Sequence, residues 1–242
     1  MDEVIERVQI SRLIQVRGTP ASGKTTLMEL VANKLFQRHN RTIPIYNLSG
    51  WNRVEVEKAG NWGRYLGQQT GVSGSNWLGY SAYLLIDEAQ RSYWDDALWA
   101  DFFKKIQEYK GNPLVILFTS FGSPGIGYEG HYLEEDKPTP LKFSPEQQIS
   151  IRPDESLDYS QSFLRTSNDG VVEFCYFRPV GLLLEEDEAI DIVTRYEKDG
   201  IYPSLSLSAD LKKGLFLISD GHVGLLMALL SVLLKPVVSF PL

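Results

Sequence analysis

The chain has 242 residues, of which 43% are hydrophobic and 23% are charged, proportions that are ordinary for a folded globular protein. Its 24 basic and 31 acidic residues give a formal net charge of −7, which argues against capture of nucleic acid or of an anionic membrane by overall charge. The single cysteine, Cys175, excludes a disulfide within the chain. The N-terminal residues lack the apolar core of a signal peptide, and the longest apolar stretch, 223–234, is too short to span a bilayer, so we expect an intracellular protein.

The first predicted strand, residues 13–16, leads into a loop with the sequence Gly-Thr-Pro-Ala-Ser-Gly-Lys-Thr and then into a helix over 24–38. This is a complete Walker A phosphate-binding loop in the strand–loop–helix setting that it needs. Its glycines permit backbone angles at which successive N–H groups form an anion nest, and the helix adds its positive end. We predict that nucleotide phosphates bind to Gly18, Thr19, Pro20, Ala21, Ser22, Gly23, Lys24, Thr25 and Thr26.

Two side chains at the end of this loop have specific predicted roles. The Lys24 ammonium group would bridge the β- and γ-phosphates, and the Thr25 hydroxyl would ligate Mg²⁺. The helix that follows is expected to face a sheet through apolar residues at helical spacing, Leu27, Leu30, Val31 and Leu35.

The next predicted strand covers residues 43–48, and Pro44 favours an edge strand or a position early in the strand, because proline cannot donate to a sheet ladder. Residues 51–71 are expected to be irregular and helical in part. Further along, the apolar strand 83–86 ends in Asp87 and Glu88, which is a Walker B pattern. Asp87 would hold Mg²⁺ together with Thr25, and Glu88 would orient and polarise the water that attacks the γ-phosphate.

A helix is predicted over 97–109, with the aromatic and apolar residues Trp99, Phe102, Phe103 and Ile106 on one face. The buried strand 114–118 follows and ends at Thr119 and Ser120. A hydroxyl at that position can contact the γ-phosphate or the attacking water, and we prefer Ser120 for this role. A plain strand-capping hydroxyl is an equally good interpretation.

The alternation of continuous apolar strands with helices predicts a P-loop NTPase α/β fold, a three-layer αβα core around a parallel sheet. Gly18, Asp87 and Ser120 would then meet at the carboxyl ends of the strands, where such sheets bind ligands. We place this core at 1–180 and a small all-helical lid at 181–242. In the alternative interpretation, the C-terminal helices only cover the sheet.

The remaining segments carry weaker indications. The loop 121–146 is rich in glycine and proline and leans acidic, which favours a protein partner over nucleic acid. Short strands are predicted at 149–152 and 171–177, with a polar stretch at 153–170 between them.

A cationic side chain could stabilise transition-state charge, in cis or on a neighbouring subunit, and the candidates are Arg91, Arg152 and Arg178. His222, at the start of the last helix, could contact bound nucleotide, although a lone histidine is more often structural.

Taken together, these segments resemble the NTPase domains of fungal Crinkler effectors. The resemblance lies in residues 16–26, 85–90, 93–95, 98–99, 115–124 and, loosely, 221–224. It implies an AAA+ or STAND-like ATPase core with a helical lid, in which the segment containing His222 acts as a sensor near the nucleotide. Members typically carry a translocation region and a nuclease-like toxin domain; we see neither here and expect neither secretion nor nuclease activity. A nuclear location in host cells is implied by the resemblance alone.

The sequence therefore predicts a Mg²⁺-dependent nucleoside triphosphatase that acts as a conformational or assembly switch, with a homo-oligomer or a host protein as partner. ATP is preferred because the chain has no Asn-Lys-x-Asp word to specify guanine. One alternative is a nucleotide-gated protein-binding module that scarcely hydrolyses. A second is a fragment of a DNA-stimulated helicase, since the word Asp-Glu-Ala-Gln occurs in that class too. A small-molecule kinase is disfavoured by Glu88, because such kinases need no water activator.

Overall fold

The computed structural model describes residues 1–39, 42–72, 76–109, 112–120, 140–150, 162–166, 172–176, 181–199 and 206–233. The chain divides into two compact units. The first comprises Met1–Pro20 and Lys24–Gly181, and the second comprises Ala21–Gly23 and Leu182–Leu242. Within the described ranges, every helix falls short of the length and apolar character that a membrane crossing needs.

The first unit is built on a parallel sheet of five strands in the order β2-β3-β4-β1-β5. The strands are β1 (Leu13–Gly18), β2 (Ile45–Ser49), β3 (Tyr83–Asp87), β4 (Leu114–Ser120) and β5 (Gln148–Ile149). The prediction of a parallel sheet is confirmed, and β2 occupies an edge as Pro44 indicated. The short β5 begins one residue before the strand predicted at 149–152, and residues 151 and 152 lie outside the described residues.

Helices cover both faces of this sheet. The helices of the first unit are α1 (Asp2–Ser11), α2 (Lys24–His39), α3 (Arg53–Ala59), α4 (Trp62–Thr70), α5 (Asp96–Leu98) and α6 (Lys104–Tyr109). Alternate strand residues such as Leu84 and Leu117 share one apolar cluster with side chains of α3 to α5 and the turn after α5. The intervening strand residues point to the other face, where α1 and α2 contact the sheet. The predicted three-layer core is therefore confirmed.

Helix α1 has no counterpart in the sequence-based prediction, which began at β1. Its first turn carries Asp2 and Glu3, acids that the positive helix end stabilises. Arg7 is 2% exposed; its Nε donates to Glu3 Oε1 at 2.9 Å, and its Nη1 donates to the carbonyl of Gln148 at 3.1 Å. The ion pair and the carbonyl contact thus tie α1 to the edge strand β5.

Helix α2 begins and ends within one residue of the prediction, but one of its side chains does not face the sheet as expected. Leu30 is 45% exposed, whereas the buried positions are Lys24, Met28, Val31 and Leu35. Leu30 lies one residue before Val31 and is therefore rotated by about 100° around the helix axis, away from the buried stripe. Leu27, at the margin of the stripe, is partly buried.

The predicted irregular segment 51–71 contains two well-capped helices. The side chain of Asn52 accepts the backbone N–H of Glu55 at the start of α3, and that of Asn61 accepts the N–H of Arg64 at the start of α4. The helix predicted at 97–109 is also present, with its four predicted aromatic and apolar residues buried. A π-helical turn, Trp99–Phe103, lies between α5 and α6.

Strands β6 (Ser162–Thr166) and β7 (Val172–Tyr176) pair antiparallel as a separate ribbon. The strand predicted at 171–177 is confirmed over the residues described. Strand β6 lies in the polar stretch 153–170, for which no strand was predicted, and backbone pairing with β7 orders it without requiring an apolar pattern. Most of the loop 121–146 lies outside the described residues; its end forms a 3-10 turn at Pro145–Gln147.

The second unit contains α7 (Glu186–Asp199), α8 (Ala209–Ser219) and α9 (Val223–Leu233), close to the predicted helices. They pack on one another around an apolar cluster of five buried residues, Ala189, Val193, Leu215, Leu226 and Leu230. Each helix supplies at least one of these residues, so the unit has its own small core.

Candidate functional site

The Walker A loop leaves β1 at Gly18 and enters α2 at Lys24. Two of its residues have left-handed backbone angles, Ala21 with φ 61° and Gly23 with φ 85°. An alanine tolerates this region poorly, whereas a glycine adopts it without a steric cost. Left-handed residues within such a loop turn successive N–H groups to the same side, which is the geometry of an anion nest.

Lys24 lies at the start of α2 and is 6% exposed. Its Nζ donates to the carbonyl oxygens of Gly18 and Thr19, each at 2.9 Å, so the ammonium group is held against the loop itself. Burial lowers the pKa of Lys24, and the nearby carboxylates of Glu88 and Asp87 act in the opposite direction. An anion in the loop would offer this buried cation a charged partner in place of neutral carbonyls.

The two predicted metal ligands are in direct contact. Thr25 Oγ1 donates to Asp87 Oδ2 at 2.7 Å. Thr25 sits in the first turn of α2, and Asp87 ends β3, which is separated from β1 by β4. A hydroxyl and one carboxylate, completed by phosphate oxygens and water, form a ligand set that Mg²⁺ accepts. Among the described residues there is no cluster of three or more His, Cys, Asp or Glu side chains that could hold a metal by themselves.

Glu88 follows Asp87 in a left-handed conformation, with φ 50°. Its N–H donates to Asp87 Oδ1 at 2.9 Å, so the second carboxylate oxygen of Asp87 is also engaged. The Glu88 carboxylate accepts a hydrogen bond from the side-chain amide of Gln90. A non-glycine residue in this region stores backbone strain, and such strain concentrates at functional sites.

Ser120 lies at the carboxyl end of β4, in register with Gly18 of β1. Its hydroxyl accepts from Gln90 Nε2 at 3.2 Å, and its N–H donates to Gln90 Oε1 at 3.2 Å. No role is predicted for Gln90 from the sequence. Its signals there are the word Asp-Glu-Ala-Gln, which also occurs in DNA-stimulated helicases, and its place in the segment 85–90 of the Crinkler resemblance.

Two buried hydroxyls of this region lack a hydrogen-bond partner among the described residues: Ser22 Oγ in the loop and Thr119 Oγ1 before Ser120. Ser22 is 4% exposed and Thr119 is fully buried. A buried hydroxyl without a partner carries a desolvation cost that a bound polar ligand can remove. Within the first unit, the buried Lys24, which donates to the carbonyls of Gly18 and Thr19, and the Thr25–Asp87 pair fit a magnesium-bound polyphosphate.

Of the remaining predicted residues, two are exposed and two lie outside the described residues. Thr26 is exposed in the first turn of α2. Arg91 is exposed, and its side chain packs against Gly50. Arg152 and Arg178 lie outside the described residues, so their roles stay predictions.

His222 belongs to the second unit and caps α9. The N–H of Leu225 donates to His222 Nδ1 at 3.3 Å, as in a helix N-cap. The preceding Gly221 has φ 73°, and a Cβ there would lie 2.5 Å from the carbonyl oxygen of Leu184, so only glycine fits. These contacts explain Gly221 and His222 by helix capping and close packing alone. Contact of His222 with nucleotide stays a prediction.

The class of fold is a P-loop NTPase α/β core. It is defined by the Walker A loop at the end of β1, the acid pair at the end of β3 and the five-stranded parallel sheet. A helical C-terminal region follows it.

No protein-family model matches the chain, and no curated protein matches it. Among solved structures, the chain is similar to that of the ORC2 protein of Aeropyrum pernix, described in ADPNP–ADP complexes. The TM-score is 0.46 and the sequence identity is 12%. The match covers 94% of this chain and 60% of that one, so the chain spans 60% of the length of that protein.

Proposed function

We propose that the chain is a Mg²⁺-dependent nucleoside triphosphatase that prefers ATP and cleaves the β–γ phosphoanhydride. The observation that carries the proposal is the 2.7 Å hydrogen bond between Thr25 and Asp87, beside a Lys24 ammonium group that is buried in the Walker A loop. The loop, the acid pair and Ser120 come from three separate parts of the sequence. Each follows or ends a strand of the parallel sheet at its carboxyl end.

The mechanism follows from the atoms on this edge. The loop amides and Lys24 would bind the phosphates, and Thr25 with Asp87 would hold the metal. Mg²⁺, when bound, neutralises charge that develops on the β- and γ-phosphate oxygens. Glu88 would accept a proton from the attacking water, and the Ser120 hydroxyl would donate to the γ-phosphate.

The biological part of the proposal rests on sequence alone. It comprises the division into a core at 1–180 and a lid at 181–242, nucleotide contact by His222, a switch role with a homo-oligomer or a protein partner, and kinship with the Crinkler NTPase domains. Sites of this kind commonly couple hydrolysis to a conformational or assembly step. The γ-phosphate holds protein segments in place through its contacts, and these contacts are lost when it is cleaved off.

The test is titration calorimetry of the whole chain with ATP, ADP and GTP, each with and without Mg²⁺, followed by steady-state hydrolysis. We expect Mg²⁺-dependent binding with ATP favoured over GTP. Lys24→Ala should weaken ATP binding by about 100-fold or more, because it removes a buried charge-assisted donor. Lys58→Ala, a change at an exposed lysine of α3, is the matched control and should bind as the parent does. No heat with any magnesium nucleotide would overturn the proposal.

A second candidate function is a nucleotide-gated binding module with little hydrolysis. The observation that favours it is that Gln90 bonds to both Glu88 and Ser120, which holds the ends of β3 and β4 together whether or not a water is activated. Single-turnover hydrolysis compared with nucleotide-dependent change in oligomer size separates the two functions. Binding and a size change without turnover would favour the module.

A further inference from the structure

The side chain of Gln90 joins two neighbouring strand ends. It lies in the 3-10 turn Ala89–Ser92 that follows β3, and its amide reaches Ser120 at the end of β4. The left-handed Glu88 directly before this turn reverses the chain, and the N–H of Arg91 closes the turn on the carbonyl of Glu88 at 2.9 Å. This turn therefore brings the Gln90 amide back to the edge of the sheet.

Both ends of the Gln90 amide are used. Nε2 donates to Glu88 Oε2 and to Ser120 Oγ, and Oε1 accepts the backbone N–H of Ser120. A primary amide has two N–H donors and a carbonyl acceptor, so one side chain makes all three bonds. A glutamate at this position would lose both donors, and a lysine would lose the acceptor.

These bonds decide which atoms remain for a reaction. Since Ser120 Oγ accepts from Gln90, its own proton is directed elsewhere and is available to a phosphate oxygen. Since Glu88 Oε2 accepts from Gln90, Oε1 is the oxygen left to receive a proton from water. One amide thus orients a donor for the phosphate and an acceptor for the water at the same time.

We propose that Gln90 is a positioning residue that couples the water-activating carboxylate of Glu88 to the Ser120 hydroxyl, so that both are aligned on one γ-phosphate. This inference rests on the proposed function, because it assigns no reaction of its own. Gln90 acts through its two neighbours and makes no contact with the reacting atoms.

The experiment compares Gln90→Ala and Gln90→Glu with the parent chain, using kcat for ATP, the affinity for a non-hydrolysable ATP analogue with Mg²⁺, and the melting temperature. A positioning role predicts that kcat falls by about 10- to 100-fold in both variants, while the analogue binds within about twofold of the parent value. Gln68→Ala and Gln68→Glu change an exposed glutamine of α4 and should leave kcat unchanged.

A double-mutant cycle provides the readout that a merely structural residue would not move. If Gln90 acts through Ser120, then Ser120→Ala should reduce kcat much less in the Gln90→Ala background than in the parent. The same should hold for Glu88→Gln. A Gln90→Ala variant that melts early is replaced in the cycle by Gln90→Glu, which keeps the side-chain length.

The possible results separate the positioning role of Gln90 from the triphosphatase activity on which it depends. Parental kcat in both Gln90 variants, or losses that simply add in the cycle, would overturn the coupling while leaving the triphosphatase assignment intact. A parent chain that binds nucleotide but never turns it over would remove the hydrolytic function and the coupling together.

Discussion

Thr25 and Asp87 are 62 positions apart in the sequence, yet Thr25 Oγ1 donates to Asp87 Oδ2 at 2.7 Å. The contact joins the first turn of α2 to the end of β3, across the strand β4 that separates β1 from β3. In the proposed function, this hydroxyl and this carboxylate would be the two protein groups that hold Mg²⁺.

The Thr25 hydroxyl is the first point to test. Thr25→Val keeps the shape of the side chain and removes the hydroxyl, so we expect the Mg²⁺ concentration for half-maximal hydrolysis to rise by about 10- to 100-fold. Thr25→Ser keeps the hydroxyl and should stay close to the parent value. Hydrolysis is measured across a magnesium titration at saturating ATP. Equal magnesium dependence in Thr25→Val and Thr25→Ser would contradict the assigned ligand.

Glu88→Gln separates binding from chemistry. The amide keeps the size of the carboxylate but cannot accept a proton, so kcat should fall by about 10²- to 10⁴-fold while ATP still binds. Glu29→Gln, at an exposed position of α2, is the matched control. Calorimetry and single-turnover hydrolysis on the same samples measure both quantities. Turnover at the parental rate would show that another group activates the water.

The buried ion pair of α1 should matter far more for stability than an exposed pair of the same spacing. Arg7 and Glu3 are buried, and Arg7→Ala leaves the Glu3 carboxylate and the carbonyl of Gln148 without this donor. We expect a loss of about 3 kcal/mol in the free energy of unfolding. Arg53→Ala breaks the exposed pair with Glu57 and should cost less than about 1 kcal/mol. Urea unfolding followed by circular dichroism measures both, and similar losses would mean that α1 contributes little to the core.

Tyr46 should make stability depend on alkaline pH. Burial, helped by the hydrogen bond with the Tyr80 hydroxyl, raises the pKa of Tyr46 from 10.0 to about 12. Between these two values the unfolded chain loses the proton and the folded chain keeps it, so the unfolded state binds fewer protons. The free energy of unfolding therefore falls as the pH rises from 10 to 12.

Tyr46→Phe should flatten this fall, since phenylalanine has no proton to lose. Unfolding curves at several alkaline pH values, with tyrosinate absorbance as the second readout, measure the effect. Parent and variant curves that stay parallel over the whole range would show that Tyr46 titrates alike in both states.

Local patterns were enough to predict most of the sheet. Strands β1, β3 and β4 are buried on both faces, so their sequences are continuous apolar runs. Such runs can be predicted as strands without knowing which strands pair with them. The Walker A loop and the acid pair are equally local, because each is a few consecutive residues at the end of such a run. The prediction at α2 was less accurate, since Leu30 is apolar but lies outside the buried stripe.

The sequence by itself therefore determined the class of fold, the phosphate-binding loop and the identity of the acids, because backbone periodicity and motif spacing are properties of neighbouring residues. Only the tertiary structure decided that α1 packs on the sheet through Arg7, and that Gln90 spans from Glu88 to Ser120. Gln90 and Ser120 are 30 residues apart and meet because β3 and β4 pair in a particular register. Long-range contacts of this kind depend on how strands align, and no local pattern in the chain specifies that alignment.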